Sequence, residues 1–110
     1  MDEVGTLHSA PDMERVRRDL FSVSIDDAAT RATIKTAHER HATILEPHGA
    51  VGWAGLWRYL DAHPEQKATT AISLETAHPA KFPEEIRALL GIEPDVPESL
   101  QGLDERAESY

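Results

Sequence analysis

The sequence predicts an α/β fold that is rich in helices, with about four to five helices and one strand. Two observations support this prediction. Apolar residues recur at helical spacing behind N-capping residues, and one run of β-branched residues alternates as in a strand. The 110 residues allow one small domain, but Leu, Ile, Val and Phe account for only 23 of them. We therefore expect a thin hydrophobic core.

Two helices are predicted in the first part of the chain. After an extended start, Asp12 can cap a short helix that ends at Leu20. Ser24 and Asp27 form an S-x-x-D capping box for a second helix, which runs to about Ala42. Its apolar stripe is expected at helical spacing: Ile34, Ala37, His41 and Ile44.

A third helix is predicted to begin at Glu46-Pro47, because proline is tolerated at the first helical position. Its amphipathic face comprises Ala50, Trp53, Ala54, Trp57 and Leu60. Gly49, Gly52 and Gly55 interrupt this helix, and each glycine costs about 1 kcal/mol relative to alanine. We expect another group to approach this backbone closely; a poorly optimised surface helix is the alternative.

The second half of the chain holds the predicted strand. Thr69–Leu74 alternates β-branched and small residues, and its backbone partners must lie in another chain or in a missing part of the protein. A turn is predicted at His78-Pro79, then a helix over Pro83–Leu90 that stops at Gly91. A last helical stretch is predicted from Pro97 to about Glu108.

Charge and composition exclude several classes of function. The net charge of −9 disfavours binding to nucleic acid or to anionic membrane surfaces. Acidic residues dominate a tail from about residue 91: Glu93, Asp95, Glu98, Asp104, Glu105 and Glu108. No apolar run is long enough to span a bilayer, and Met1–Val4 does not resemble a signal peptide. With no cysteine, the chain is expected to be soluble and cytoplasmic.

Common catalytic and metal-binding motifs are missing from the sequence. His38 and His41 are spaced i, i+3 rather than i, i+4, and a zinc site would also need His48 or Glu46 to fold back. A packing role for His41 explains the pattern more simply, so we predict no metal site. There is no nucleophile elbow and no glycine-rich phosphate loop.

The most distinctive segment directly follows the predicted strand. Thr76, His78 and Lys81 place a hydroxyl, an imidazole and an ammonium group within six residues. In open α/β sheets, ligands bind at the carboxyl ends of strands. The segment is therefore a candidate binding loop, although polar turns of this kind are often only loops.

Two sequence elements carry a family resemblance. The run TAHPAKF at 76–82 resembles a signature near the end of bacterial and fungal threonine synthases. The run LEPHGAVG at 45–52 is similar to an upstream element of that family, in which an acidic residue, proline and histidine open a helix. Weaker similarity extends over 1–15 and 90–100. The whole chain, 1–110, thus resembles a single carboxyl-terminal segment of the family.

The resemblance implies the carboxyl-terminal part of a pyridoxal-phosphate enzyme of fold type II, the tryptophan-synthase-β type. Such a phospho-lyase converts O-phospho-L-homoserine and water to L-threonine and phosphate. Thr76 is the implied partner of the pyridine nitrogen of the cofactor, and His78 and Lys81 are further candidates for cofactor contacts. Lys81 has an alternative, an ion pair with Glu84 or Glu85.

The chain lacks other parts of the family pattern. The Schiff-base lysine and the phosphate-binding loop belong to earlier parts of the family sequence, and Lys35, Lys67 and Lys81 stand in no matching context. Glu75 stands where many members have a small residue. We expect no catalytic residue in this chain and a partner in the missing N-terminal portion. The alternative is a small acidic interaction or structural module without cofactor.

Overall fold

The computed structural model describes Gly5 and residues 8–102, which contain four α-helices. The helices are α1 (Met13–Asp19), α2 (Asp27–His41), α3 (Pro47–Ala62) and α4 (Pro83–Leu90). Short 3-10 turns occur at Pro64–Gln66, Pro79–Lys81 and Glu98–Leu100.

The starts of α1 and α2 are set by aspartate caps. As predicted, Asp12 caps α1, and its Oδ1 accepts hydrogen bonds from the backbone N–H groups of Glu14 and Arg15. The predicted Ser24 cap of α2 is wrong. Asp26 takes that position and accepts the N–H of Ala29 at 2.8 Å, while the carbonyl of Ser24 binds a side chain of α3. Aspartate caps as well as serine does, so local pattern alone did not separate the two.

The end of α2, the start of α3 and both ends of α4 agree with the sequence prediction. Helix α2 ends at His41, where Ala42 adopts a left-handed conformation (φ 51°). Glu46 caps α3 with Pro47 in its first turn. Helix α4 spans the predicted residues and ends at Gly91, whose φ of 69° favours glycine.

A small hydrophobic core lies where α2 packs against α3 and α4. Its buried apolar residues in the described part of the chain are Ile34, Ala37, Leu45, Ala50, Ala54 and Ile86. This confirms the thin core. In the predicted stripe, Ile34 and Ala37 are buried and Ile44 is half-buried. His41 is exposed, and its ring packs against that of Trp53 with 5.8 Å between the ring centroids. Arg31 of α2 pairs with Glu85 of α4 at 2.9 Å.

The predicted strand is wrong, and with it the α/β class. Within residues 8–102 the structure contains no strand, and residues 71–76 run as irregular backbone. Ile72 and Leu74 are 82% and 80% exposed. A strand requires a hydrogen-bonded neighbour, and the described residues supply none, so β-branched alternation alone did not produce one. The described part of the protein is helical.

The predicted last helix is also wrong over the part that the structure describes. Residues 98–100 form one 3-10 turn after Pro97, and Gln101 is extended. The rest of that helix and the acidic residues Asp104, Glu105 and Glu108 lie outside the described residues, as do 1–4, 6 and 7 of the extended start.

The helices form an open arrangement. The radius of gyration is 18.2 Å, compared with about 13 Å for a compact domain of this length. The principal extents are 48 × 41 × 24 Å. Much apolar surface therefore remains exposed to solvent, with Ile72 and Leu74 the most exposed examples.

Among the described helices, none combines the length and apolarity that crossing a bilayer requires.

Candidate functional site

The two distinctive sequence elements, 45–52 and 76–82, meet in space. The first forms the start of α3, and the second belongs to a stretch, Ser73–Phe82, that we call the motif segment. The ring of Phe82 lies 5.5 Å from the imidazole of His48. The side chain of Glu75 packs on Gly49. These contacts join elements that are about thirty residues apart in sequence.

Three glycines of α3 allow close approach of other groups, as the sequence predicted. A Cβ added to Gly49 would overlap with the carboxyl group of Glu75, so a side chain here would require the carboxyl group to move. At Gly52 such an atom would lie 3.3 Å from the hydroxyl of Ser73, and at Gly55 it would lie 3.6 Å from Val23. Only Gly49 is therefore excluded from carrying a side chain while Glu75 keeps its position.

Glu46 is a buried carboxylate that caps α3. Its side chain is fully buried, and it accepts the backbone N–H groups of His48 (2.9 Å) and Gly49 (2.8 Å). The Nδ1 of His48 lies 2.6 Å from Oε2 of Glu46. Burial on its own would raise the pKa of Glu46, but the hydrogen bonds from His48 and Gly49 outweigh it and hold this pKa below its ordinary value. Glu46 is thus ionised where most buried carboxyl groups would be neutral.

Glu75 has the opposite electrostatic environment. Partial burial of its carboxyl against α3 raises its pKa, and the negative charge of Glu46 raises it further. A hydrogen bond with Ser73 acts in the other direction without cancelling the increase. The two carboxyl groups at the start of α3 therefore differ in their tendency to hold a proton.

The predicted site residues lie at the surface of the motif segment. Thr76 is exposed, and its hydroxyl makes no hydrogen bond to the described residues. His78 has a structural role: its Nδ1 accepts the N–H of Ala80 at 3.1 Å and caps the 3-10 turn. The N–H of Lys81 donates to the carbonyl of His78 at 2.9 Å, so the turn brings these two residues together. Thr76 precedes the turn.

The side chain of Lys81 is exposed and borders an open cavity of about 650 Å³. None of the ion pairs in the described part of the chain includes it. The alternative pairing with Glu85 is not formed, because Glu85 binds Arg31. Lys81 is thus available to an anion, whereas Lys67 is paired with Asp61.

The histidines do not assemble a metal site within residues 8–102, where no group of three or more potential ligands has the required proximity. His41 contacts Trp53, and His48 is engaged by Glu46. These contacts give both histidines packing or hydrogen-bonding roles.

Comparison with known proteins assigns the family. A family model for the carboxyl-terminal region of threonine synthases (Threonine synthase, C-terminal) matches residues 49–110, more than half of the chain. The chain belongs to this threonine synthase family. The match begins at Gly49, so it includes the glycine contacts of α3 and the entire motif segment.

Curated threonine synthases from several organisms are similar to most of the chain. The enzyme from Haemophilus influenzae is 40% identical over 82 residues, 74% of this chain and 18% of the relative. Those from Methylobacillus glycogenes and Schizosaccharomyces pombe are each 37% identical, over 76% and 78% of this chain and 16% and 17% of the relative. The chain thus spans less than a fifth of the length of these relatives. No solved structure matches it.

Sequence reasoning located both elements of the site but missed the contact that joins them. The glycines of α3 signalled a close approach without identifying the approaching group. The burial of Glu46 and the position of Glu75 on Gly49 depend on how the chain folds back over about 25 residues. Patterns over a few residues do not reveal a contact between residues so far apart in the sequence.

Proposed function

We propose that this chain is the carboxyl-terminal portion of a threonine synthase and acts together with the N-terminal portion that its relatives contain. The complete enzyme would convert O-phospho-L-homoserine and water to L-threonine and phosphate, with pyridoxal phosphate as cofactor. The observation that carries the proposal is the contact between the two family elements, in which the ring of His48 meets that of Phe82. A cytoplasmic location, consistent with the lack of cysteine, belongs to the same proposal.

The open apolar surface supports a partner portion. Ile72 and Leu74 are large aliphatic side chains on one short stretch, and both are at least 80% exposed. Burying apolar surface contributes about 25 cal/mol per Å², so leaving both residues in water forgoes stabilisation that a covering surface would provide. We assign that covering surface to the N-terminal portion of the enzyme.

Thr76 is the residue that we place at the cofactor. Its hydroxyl is exposed and makes no hydrogen bond to the described residues, so it fits the role of a neutral partner for the pyridine nitrogen. Pyridoxal phosphate, when bound, supplies the electron sink of the reaction. A hydroxyl need not protonate that nitrogen as a carboxylic acid would, so Thr76 would moderate the sink. His78 and Lys81 would support the same loop, with Lys81 available to an anionic group.

This chain is not proposed to catalyse the reaction alone. The resemblance assigns the lysine that binds the cofactor covalently to the missing portion, and no lysine here stands in its sequence context. We therefore expect the isolated chain to release no phosphate from O-phospho-L-homoserine. Release by the purified chain would contradict the division of roles between the two portions.

A chimeric enzyme tests the proposal. This chain would replace the matched carboxyl-terminal region of the Haemophilus influenzae threonine synthase, and the chimera would be introduced into a threonine-requiring bacterial strain. We expect growth without threonine and phosphate release by the purified protein. A folded chimera that binds pyridoxal phosphate but releases no phosphate would refute the proposal and favour the non-catalytic acidic module.

The same chimera tests the role of Thr76. Thr76→Val should lower the turnover number by about 10-fold or more, since a hydrogen bond to a charged group contributes about 1.5–3 kcal/mol. Thr70→Val is a matched control, because Thr70 is exposed on the same stretch of backbone and precedes the motif segment. Equal turnover numbers for the two variants would remove Thr76 from the site.

A further inference from the structure

The carboxyl group of Glu75 occupies the space that a side chain at residue 49 would fill. A Cβ on Gly49 would overlap with both the carboxyl carbon and an oxygen of Glu75. We call this contact the Gly49 seat. The next contact along the helix, between Ser73 and Gly52, keeps the same stretch of backbone beside α3. The residue that directly follows the seat is Thr76.

The seat places one carboxyl group beside another. The ionised Glu46 of α3 acts on the carboxyl group of Glu75, and the ring of His48 binds Glu46. From its own stretch of chain, the hydroxyl of Ser73 interacts with Glu75. None of the ion pairs among the described residues includes Glu75, so no cation there offsets the repulsion from Glu46. A nearby charge of the same sign disfavours ionisation of the second group.

We infer that Glu75 is a positioning residue whose carboxyl group, held in the Gly49 seat, fixes the backbone before Thr76 against the first turn of α3. The inference rests on the proposed function, because that proposal places Thr76 at the cofactor. Glu75 itself acts through the backbone and needs no contact with the substrate. Because the pKa of Glu75 is raised and that of Glu46 is lowered, Glu75 takes up a proton before Glu46 does as pH falls.

The direction of the pH dependence follows from the pKa of each carboxyl. Because the pKa of Glu75 is raised in the folded state, the contribution of the Gly49 seat to stability is fully present below the ordinary pKa of a glutamate. It is lost as pH rises through the raised value. Glu46 behaves in the opposite sense, since its folded pKa is lowered. Between the two values, Glu46 is charged and Glu75 is neutral. Above the raised pKa of Glu75, we expect its contact with Gly49 to weaken.

A titration of the 110-residue chain tests the seat. Glutamate labelled with ¹³C at the carboxyl carbon would be followed by NMR from about pH 3 to about pH 8, a range that brackets ordinary carboxyl titration. Glu75 should titrate at higher pH than the same glutamate in a short unfolded peptide of the same local sequence. Glu46→Gln should move the midpoint of Glu75 toward the peptide value. A midpoint equal to the peptide value in the unaltered chain would overturn the inference.

A pair of glycine variants separates the seat from general effects on α3. Gly49→Ala should expel the carboxyl group of Glu75 and bring its midpoint to that of the unfolded peptide. Gly55→Ala, in the same helix, introduces only an ordinary contact and should leave the midpoint of Glu75 unchanged. An unchanged midpoint in a folded Gly49→Ala chain would refute the seat; should that variant not fold, the Glu46→Gln titration decides.

The positioning role requires that Thr76 respond. The backbone amide resonance of Thr76 should shift with the midpoint of Glu75, and this shift should disappear in Glu75→Gln, which mimics the neutral carboxyl. A Thr76 amide resonance that does not shift while Glu75 titrates would exclude the positioning role.

The two proposals fail separately. If Glu75 titrates as expected while the chimera releases no phosphate, the seat stands and the proposed function is wrong. If the chimera is active while Glu75 titrates at the value of the unfolded peptide, the inference is wrong and the proposed function stands.

Discussion

The Nδ1 of His48 lies 2.6 Å from a carboxylate oxygen of Glu46, whose side chain is fully buried at the start of α3. Together with the N–H groups of His48 and Gly49, this contact gives the carboxylate three hydrogen-bonding groups. A helix N-terminus also favours negative charge. The relationship explains how one acidic residue is kept inside a protein whose core is otherwise small.

Replacing this cap should destabilise the protein. Glu46→Gln replaces one carboxylate oxygen with an NH2 group, which cannot accept a hydrogen bond from the backbone N–H groups of α3. We therefore expect the free energy of unfolding to fall by about 1–3 kcal/mol. Urea denaturation followed by circular dichroism measures the change. Glu65→Gln, at an exposed position without a side-chain hydrogen bond to the described residues, should differ from the parent by less than about 0.5 kcal/mol. Equal losses in both variants would show that the cap contributes nothing specific.

The cap also predicts a pH dependence of stability. Because the pKa of Glu46 is lowered in the folded state, its stabilising contribution is present above the unfolded pKa and is lost as pH falls through the folded value. The stability difference between the parent and Glu46→Gln should therefore shrink as urea titrations are repeated at increasingly acid pH. A difference that stays constant down to about pH 3 would contradict the lowered pKa.

Local signals predicted the helices well, because capping and left-handed termination act over a few residues. Asp12 and Gly91 were each assigned from the sequence and serve as predicted, and the start of α3 at Glu46-Pro47 was predicted without the cap that the Glu46 side chain provides. The error at Ser24 was local too, since two residues of equal capping ability stood close together. The predicted strand failed for a different reason: Ile72 and Leu74 have the pattern of a strand, but pairing depends on a neighbour that the described residues do not supply.

The small core should make single apolar residues unusually important. Ile86 of α4 is completely buried, and Ile86→Ala should lower the free energy of unfolding by about 2–5 kcal/mol. Ile72→Ala removes the same atoms from an exposed position and should change it by less than about 0.5 kcal/mol in the isolated chain. Thermal denaturation of the two variants compares them. Similar midpoints would place the core elsewhere.

The ion pair between α2 and α4 should contribute little. Arg31 and Glu85 are both partly exposed, and solvent screens such pairs, so they contribute little to stability. Arg31→Gln should therefore reduce the urea midpoint of unfolding only slightly, and added salt should diminish the difference. Arg40→Gln changes the same charge at an exposed position of α2, so it isolates the pairing contribution. A large loss of stability that salt does not diminish would mean that Arg31 has a structural role beyond the pair.

The aromatic contacts of α3 give the protein an internal optical probe. Its two tryptophans, Trp53 and Trp57, lie 5.8 Å apart, and Trp53 touches the imidazole of His41 across the interface with α2. Tryptophan emission will therefore report the docking of α2 on α3. Carboxyl NMR of Glu75 follows the contact between the motif segment and Gly49, so the two measurements observe different interfaces of α3.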